Sequence, residues 1–382
     1  MAWAESEHTF APRHVEIHQR VRRPMRELVA AGCLAAACAV CIARARRRAA
    51  RLSRSRPIAR TSADGAGSLA GKRALVTGAS QGIGRVVAIE LGRRGCAVAV
   101  NYRSADEAEA ACAVVREIEA VAGATGATDA AIALMADVSR SDEVLAMFEA
   151  LDEWARRARG EDGPSIDLLV NNAAAQAWAP LLELAESDWD RVINTNAKGC
   201  LLCTQHAAMR MGGRGGRVVN IGSGCVRAPF PCLASYAASK AAIESLTKVD
   251  AACVCMPTLS NAPAGRMGRS SGDRDEIAPR SSPTRLRSRH AAQVAAVELG
   301  PRGVTVNCVA PGAIETERTK AEAADYAGTW SRLTPLRRVG QPVDVAEAVA
   351  WLAGDGAGFV TGATLFVDGG CFMQCPWPYD VN

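Results

Sequence analysis

The sequence predicts an α/β domain built on a doubly wound parallel sheet. From Lys72 onward, short apolar segments alternate with amphipathic segments of helix length. The apolar segments are hydrophobic throughout, which is typical of parallel strands that helices cover on both faces. The first apolar segment runs directly into a glycine-rich turn that opens a helix, which favours the same arrangement.

The predicted elements follow one another in a regular order. Helices are predicted at Ile83–Arg94 and Ala105–Ala120, and further amphipathic segments separate the later strands. We therefore expect one Rossmann domain over residues 69–373, with a disordered leader over 1–68 and a C-terminal tail over 374–382. The predicted strands are KRALVTG, CAVAVN, AIALMAD, IDLLVNN, GRVVNIGS, GVTVNCVAPG and TLFVDGG.

Charge is distributed unevenly along the chain. The net charge is +5, but residues 1–68 carry +8 and residues 249–293 carry +3, which leaves −6 on the remainder. Aromatic residues make up only 4% of the chain. A nucleic-acid-binding surface combines basic patches with stacking aromatics. We therefore expect no nucleic-acid partner for the folded body.

The 14 cysteines do not form the pattern of a disulfide framework or a zinc site. They are scattered through apolar runs, where a reduced cysteine acts as a small hydrophobic residue. Cys200-x-x-Cys203 lacks a second pair of ligands at zinc spacing. We therefore expect reduced thiols and no bound metal.

The leader permits three interpretations. Residues 28–43 form an apolar run flanked by arginines, shorter than the roughly 20 residues of a spanning helix. Residues 51–68 are rich in Arg, Ser, Ala and Gly and contain one acid, a composition typical of an organelle transit segment. Targeting to a plastid or mitochondrion is favoured. A membrane anchor at 28–43 and an uninformative tail on a cytoplasmic protein remain open.

Residues 249–293 interrupt a predicted helix. The segment is rich in Pro, Gly, Ser and Arg, and joining Lys248 to Val294 restores the continuous helix SKAAIESLTKVAAVELG before Pro301. A structureless loop of this length is uncommon inside a compact domain. The segment begins with Val, whose codon starts GT, and ends with Gln, whose codon can be CAG. These are intron boundary signatures, so we interpret the segment as a retained intron; a genuine surface insertion is the alternative.

A glycine-rich turn follows the first predicted strand. It reads Thr77-Gly78-Ala79-Ser80-Gln81-Gly82-Ile83-Gly84. Glycines allow the backbone to approach a pyrophosphate, and the N–H groups at the start of the next helix face its charge. The position between a strand and a helix therefore predicts a dinucleotide site, although the spacing G-x-x-x-G-x-G differs from the common fingerprint.

The end of the second strand bears on the choice of cofactor. An acid there would bind the ribose of NAD and repel the 2′-phosphate of NADP. The strand ends in Tyr102-Arg103-Ser104 without an acid, which favours NADP(H). Asp106 and Glu107 follow closely, so a solvated loop arginine is the alternative.

Tyr236 and Lys240 are the candidate catalytic pair. At i and i+4 they share one face of a helix, and Ser223 lies upstream. A lysine ammonium can lower the pKa of a phenol and make it a working acid or base near neutral pH. With only 5 Lys and 4 Tyr in the chain, a chance Y-x-x-x-K match is improbable.

Taken together, these motifs resemble the short-chain dehydrogenase/reductase family over about residues 70–373, apart from the insertion. Further matches are Asp137-Val138, the active-site Asn196, and Pro311-Gly312-Ala313-Ile314-Glu315-Thr316 for P-G-x-I-x-T. The family motif N-N-A-G appears as Asn171-Asn172-Ala173-Ala174. Ala174 replaces its glycine, and we expect the added methyl to be tolerated.

The resemblance implies a role for each matched residue. Tyr236 transfers the substrate proton, Ser223 positions the carbonyl, Lys240 holds the ribose and lowers the Tyr236 pKa, and Asn196 supports a water-linked proton relay. By the same resemblance, the segment from Pro311 to Thr316 holds the nicotinamide amide. The residues implied in cofactor binding are Gly78, Ser80, Gln81, Gly82, Ile83, Gly84, Tyr102, Arg103, Ser104, Asp137, Val138, Asn172, Ala173, Ala174, Tyr236, Lys240, Pro311, Gly312, Ile314 and Thr316.

Within the family, the chain resembles 3-oxoacyl-acyl-carrier-protein reductases and glucose 1-dehydrogenases. Arg214 and Arg302 match two arginines that receive the acidic carrier protein, whereas VNYRS and GATLFVDGG are also similar to the sugar enzymes. The favoured function is NADPH-dependent reduction of a small or carrier-bound carbonyl compound, in a homotetramer. A sugar or polyol dehydrogenase, another carbonyl reductase and a catalytically silent dinucleotide-binding protein remain open.

The insertion gives a first prediction. In the family, the helix with Tyr236 and Lys240 packs against its mate in the tetramer, so interrupting it after Lys248 removes its last turns from the packed face. Joining Lys248 to Val294 should therefore raise the melting temperature, yield a tetramer in size-exclusion chromatography and increase activity over the full chain. A fully active tetramer of the full chain would contradict the mechanical argument, and mature transcripts that all encode residues 249–293 would contradict the intron.

Overall fold

A computed structural model describes residues 69–123, 129–159, 164–211, 215–247 and 298–373. The predicted leader, the insertion, the tail and Arg214 lie outside the described residues. No helix among the described residues is long and apolar enough to cross a membrane.

In the described part of the chain, seven strands form one parallel sheet in the order β3-β2-β1-β4-β5-β6-β7. The order reverses between β1 and β4, so a crevice opens at the carboxyl ends of these two strands. This confirms the doubly wound sheet. The strands are β1 Arg73–Val76, β2 Ala97–Tyr102, β3 Ala131–Met135, β4 Leu168–Asn171, β5 Gly216–Ile221, β6 Val304–Pro311 and β7 Thr364–Val367.

Helices cover both faces of the sheet. Helices α1, α2 and α9 pack on one face around Val87, Ile118 and Val349, and α3 and α5 pack on the other around Phe148 and Cys203. The helices are α1 Gly82–Arg93, α2 Ala108–Gly123, α3 Ser141–Arg159, α4 Glu186–Ile193, α5 Gly199–Arg210, α6 Ala234–Thr247, α7 Glu317–Glu322, α8 Tyr326–Leu333 and α9 Pro342–Ala353.

The second helix begins later than predicted. The sequence predicts a helix from Ala105, but residues Ala105–Glu107 form a 3₁₀ turn and α2 begins at Ala108. The turn is closed by the Glu107 N–H, which donates to the Ser104 carbonyl at 3.0 Å. The tighter turn places Glu107 back toward the end of β2.

The structure describes both flanks of the predicted insertion as helical. α6 ends at Thr247, and Glu298 and Leu299 are helical before a 3₁₀ turn at Gly300–Arg302. Residues 248–297 between them lie outside the described residues. The interruption of one helix by residues 249–293 stays a prediction.

Buried amides connect the carboxyl ends of β4 and β5 to two helices. The Asn171 side chain donates to Asn220 Oδ1 at 2.8 Å and to Thr204 Oγ1 on α5 at 3.0 Å. The Asn220 amide donates in turn to Thr247 Oγ1, at the end of α6, at 2.9 Å. Because unpaired buried polar groups are costly, this chain of bonds specifies where α5 and α6 lie on the sheet.

Two threonines with opposite surroundings test this network. Thr247→Val removes a hydroxyl that accepts from Asn220 and should lower the free energy of unfolding by about 1–2 kcal/mol. Thr305→Val removes a buried hydroxyl that has no hydrogen-bond partner among the described residues, so stability should be unchanged or higher. Urea unfolding of both variants and the parent measures the difference. Equal loss in the two variants would mean that the network does not stabilise the fold.

Candidate active site

The predicted catalytic residues meet at the carboxyl edge of the sheet. Ser223 follows β5, and Tyr236 and Lys240 lie on α6. Asn196 lies in a π-helical turn, Asn194–Lys198, between α4 and α5. The parallel strands bring these elements to the same edge, beside the crevice between β1 and β4.

The glycine-rich turn lies in backbone contact with the end of β4. Gly78 has φ +60°, and a Cβ on it would be 2.8 Å from the Cα of Ala173. A Cβ on Gly84 would be 2.3 Å from Asn172 Nδ2. Asn172 donates from Nδ2 to the carbonyls of Thr77 and Gly78, at 2.9 Å each. Only glycine permits this approach, so the turn has one position relative to β4.

The start of α1 fits a dinucleotide. Gly82 has φ +56°, and a Cβ there would have no atom within 4 Å. Gln81 provides no side-chain cap for the helix. The N-terminal end of α1 at Gly82 and Ile83 therefore faces open space, where its partial positive charge favours a pyrophosphate.

Asn101 on β2 also positions this turn, although the motif search did not select it. Its Oδ1 accepts from the Gly78 N–H at 3.1 Å. Its Nδ2 donates to the carbonyls of Leu134 and Ala136 at 3.2 and 3.1 Å. The available signal was an amide inside the apolar strand AVAVNY, where asparagine is disfavoured without a specific partner.

β2 ends without an acid, as predicted, but a carboxylate from the following turn reaches this end of the strand. The 3₁₀ turn after β2 brings Glu107 back, and Ser80 Oγ donates to its Oε2 at 2.8 Å. Arg103 is exposed, with Nη2 3.9 Å from Glu107 Oε1. Ser104 donates to Asp106 through its hydroxyl. The strand end therefore contains both the predicted arginine and a carboxylate.

Asp137 and Val138 follow β3 at the same edge of the sheet. The Asp137 carboxylate accepts from the Ser139 N–H at 2.8 Å. Val138 is buried against α5, where a Cβ on Gly199 would be 2.7 Å from its Cγ2. Val138 lines a cavity together with Thr77 and Asn171, at the ends of β1 and β4. The role of Asp137 and Val138 in cofactor binding stays a prediction.

The Pro311–Thr316 segment leaves β6 toward the same crevice. The Gly312 N–H donates to the Val367 carbonyl at 2.9 Å, and a Cβ on Gly312 would be 2.7 Å from the Cα of Asp368. Ile314 is buried, and Thr316 caps α7 by accepting from the Thr319 N–H at 3.2 Å. The segment is therefore held at both ends.

Ala174 occupies the position of the expected glycine. Its side chain is exposed, and its backbone does not have a positive φ. The position therefore does not require glycine for conformational reasons in this chain.

Asn196 connects the π turn to the catalytic helix. Its Oδ1 accepts from the Ala175 N–H at 2.7 Å, and its Nδ2 donates to Ser239 Oγ at 2.8 Å. The Ser239 hydroxyl donates to the main-chain carbonyl of Tyr236 at 2.7 Å. Asn196 therefore positions α6 at the turn that carries the candidate proton donor.

Tyr236, Ser223 and Lys240 form one cluster. The Ser223 hydroxyl lies beside that of Tyr236 and favours its ionised form, and the Cys225 N–H donates to Ser223 Oγ at 3.2 Å. Lys240 is buried, with Nζ 5.5 Å from the centroid of the Tyr236 ring. Nζ donates to the Ile221 carbonyl at 2.8 Å.

Burial dominates the proton affinities of this cluster. It raises the pKa of Tyr236 to about 12, against the opposing effect of the hydrogen bond with Ser223. It lowers the pKa of Lys240 to about 8, although the thiols of Cys308 and Cys225 act in the opposite direction. The pKa of Tyr236 is therefore raised in this structure and not brought toward neutral pH, because the loss of hydration on burial outweighs the effects that lower it. That Lys240 lowers the Tyr236 pKa stays a prediction.

An aromatic wall lies beside Ser223. We use this name for Phe230, Tyr326, Trp330 and Phe372. The Phe230 ring centroid is 5.6 Å from that of Trp330 and 5.8 Å from that of Phe372. A Cβ on Gly224, the residue after Ser223, would be 2.0 Å from the Phe372 ring. All four side chains are half-buried. The sequence did not predict the aromatic wall, because its residues are far apart in the chain.

Other predicted features have simple outcomes. Arg302 is exposed, and its proposed companion Arg214 lies outside the described residues. Among the described residues, no group of three or more His, Cys, Asp or Glu could hold a metal. Within the described ranges, no disulfide joins any of the cysteines, which are Cys96, Cys112, Cys200, Cys203, Cys225, Cys232, Cys308 and Cys371.

Sequence comparison identifies the family. The profile described as short chain dehydrogenase matches residues 72–253, and the profile described as enoyl-(acyl carrier protein) reductase matches residues 286–371. The 3-oxoacyl-(acyl-carrier-protein) reductase FabG of Staphylococcus epidermidis is 35% identical over 305 residues, covering 79% of this chain and 99% of that protein. The chain belongs to the short-chain dehydrogenase/reductase family. The unmatched residues 254–285 lie inside the predicted insertion.

Other members of the family have different names and substrates. The 3beta-hydroxysteroid dehydrogenase 1 of Eggerthella lenta is 36% identical over 308 residues, covering 79% of this chain and 94% of that protein. The structure of angucycline C-6 ketoreductase LanV with bound NADP has a TM-score of 0.61 and 30% identity, covering 81% of this chain and 98% of that one. The similarity therefore extends over nearly the whole of each relative.

The buried lysine predicts a pH-dependent stability. Because the folded pKa of Lys240 is about 8 and its ordinary value is 10.5, the folded state binds fewer protons between these values. The cost in folding free energy of burying the Lys240 ammonium is therefore full below pH 8 and disappears as the pH rises to 10.5. Relative to Lys240→Met, the parent should therefore gain up to about 3 kcal/mol over this range, since a tenfold change in proton affinity is about 1.4 kcal/mol. Urea unfolding of both proteins at pH 7 and pH 10 measures the gain. A difference independent of pH would contradict the low pKa.

Proposed function

We propose that the protein is an NADPH-dependent oxidoreductase that reduces a ketone to a secondary alcohol, with a 3-oxoacyl group on acyl-carrier protein as its substrate. The observation that carries this proposal is the cluster of Ser223, Tyr236 and Lys240 at the carboxyl edge of the sheet, in which Lys240 Nζ lies 5.5 Å from the centroid of the Tyr236 ring. Membership of an oxidoreductase family supports the same chemistry.

The chain supplies an acid and an orienting donor. A bound NADPH supplies the hydride for the carbonyl carbon. With a pKa of about 12, Tyr236 is protonated at neutral pH, so its hydroxyl can donate a proton to the developing alkoxide. Ser223 orients the carbonyl oxygen by a hydrogen bond. Lys240 holds the ribose, and Asn196 supports the proton relay.

NADP(H) is the proposed cofactor. The start of α1 fits the pyrophosphate, and exposed Arg103 at the end of β2 can pair with a 2′-phosphate. The related ketoreductase LanV was solved with bound NADP. Equal catalytic efficiency with NADPH and NADH would contradict this assignment.

The aromatic wall favours an apolar ketone over a sugar. Its half-buried rings lie beside Ser223, and Leu181 and Leu182 are 73% and 98% exposed on the loop after β4. That loop is attached near Phe230 by the Ala179 N–H, which donates to the Cys232 carbonyl at 3.0 Å. Such a lining binds a hydrophobic acyl chain but offers few partners for sugar hydroxyls. The carrier-protein reductases among the relatives support the acyl substrate.

The proposal also covers the oligomeric state of the protein and its cellular compartment. We propose a homotetramer for the chain in which Lys248 is joined to Val294, supported by Leu201 and Met209 on α5, which are 40% and 61% exposed. We propose import into a plastid or mitochondrion, supported by the composition of the leader. Analytical ultracentrifugation and imaging of a tagged full chain test these two points.

Tyr236→Phe tests the chemistry. It should lower kcat by roughly a hundredfold or more, because it removes the proton donor and little else. The assay is NADPH oxidation with an acetoacetyl thioester, and NADPH binding followed by fluorescence is the internal control, which should change by less than about twofold. Retention of most activity would contradict the role of Tyr236.

A substrate panel separates the alternative functions. Turnover of the acetoacetyl thioester with NADPH, without oxidation of glucose by NADP⁺, is the expected result. Glucose oxidation alone would identify a sugar dehydrogenase. Cofactor binding without turnover of any ketone or alcohol would identify a silent binding protein.

A further inference from the structure

The Glu107 carboxylate lies between the glycine-rich turn and the end of β2. Its Oε2 accepts from Ser80 Oγ at 2.8 Å and from the main-chain N–H of Arg103 at 3.3 Å. Its Oε1 is 3.9 Å from Arg103 Nη2. The Glu107 side chain is 21% exposed, whereas that of Arg103 is 62% exposed. The carboxylate is therefore the more enclosed partner of the pair.

The donors around Glu107 are those that recognise a phosphate. A hydroxyl, a main-chain N–H and a guanidinium converge on one anion, and all three form strong bonds to phosphate oxygens. In doubly wound sheets, this position after β2 contacts the 2′ position of the adenine ribose. Glu107 therefore accepts from the same donors that a 2′-phosphate would use.

We propose that Glu107 is a specificity-determining residue, an internal anion that competes with the 2′-phosphate for Ser80 and Arg103 and so limits the preference for NADP(H) over NAD(H). The proposal rests on the proposed dinucleotide site. A 2′-phosphate must displace the carboxylate, because two anions cannot share these donors without repulsion. A 2′-hydroxyl can instead donate to the carboxylate and leave its other bonds in place.

The isosteric variant Glu107→Gln tests this competition. It removes the charge while its amide oxygen can still accept from Ser80. Glu109→Gln is the matched control, because Glu109 is exposed in the first turn of α2 and undergoes the same change of charge two residues later. The ligands are adenosine 2′,5′-bisphosphate and adenosine 5′-monophosphate, which differ only by the 2′-phosphate. Isothermal titration calorimetry on the full chain measures both affinities.

The expected result is selective. Glu107→Gln should raise the affinity for the bisphosphate by about fivefold or more and change the affinity for the monophosphate by less than about twofold. Glu109→Gln should change both by less than about twofold. Glu107→Ala should shift the ratio in the same direction. An unchanged ratio in both Glu107 variants, or an equal shift in the Glu109 variant, would overturn the proposal.

The same titrations separate this inference from the proposed cofactor. If the parent binds the bisphosphate better and Glu107→Gln leaves the ratio unchanged, the inference fails and the preference for NADP(H) stands. If the parent binds the monophosphate better and Glu107→Gln raises the affinity for the bisphosphate, the inference stands and the preference for NADP(H) fails.

Discussion

The close approach of the glycine-rich turn to the end of β4 determines the geometry of the whole crevice. Gly78 lies so near the backbone at Ala173 that a Cβ has no room, and the Asn172 amide donates to the carbonyls of Thr77 and Gly78. Asn101 holds the same turn from the opposite side through the Gly78 N–H. With the turn held from both sides, the axis of α1 and its positive end can point only into the crevice. A larger residue at Gly78 would move the cofactor site as a unit rather than perturb one contact.

The second constraint acts on α6. The roles proposed for Tyr236 and Lys240 depend on the distance between this helix and β5, and buried polar contacts set that distance near both ends of the helix. Asn196 bonds to Ser239 beside Tyr236, and Asn220 bonds to Thr247 at the last turn. Burial of Lys240 disfavours its ammonium form. The site therefore holds a group that destabilises the fold, and the surrounding network keeps it in place, a common arrangement where function and stability conflict.

Much of the fold and of the site was predictable because the relevant signals are local. The apolar strands, the helix after the turn and the shared helix face of Tyr236 and Lys240 depend on residues a few positions apart. The position of Glu107 was not predictable in this way, because a 3₁₀ turn replaced the first turn of the predicted helix. The raised pKa of Tyr236 was not predictable either, since the sequence shows the neighbouring charge but not the loss of water around it. Solvation is a property of the packed structure.

The sequence by itself determined the parallel sheet, the place of the glycine-rich turn and the choice of residues proposed as catalytic, because periodicity and short motifs encode them within single elements. Only the tertiary structure decided which groups share a surface. It placed Phe230 and Phe372 together beside Ser223. It also brought Glu107, in the turn after β2, into contact with Ser80 in the glycine-rich turn. These contacts join residues that are about 27 and 142 positions apart in the chain. Packing of the helices on the sheet brings such residues together, and a local sequence pattern cannot predict the contact.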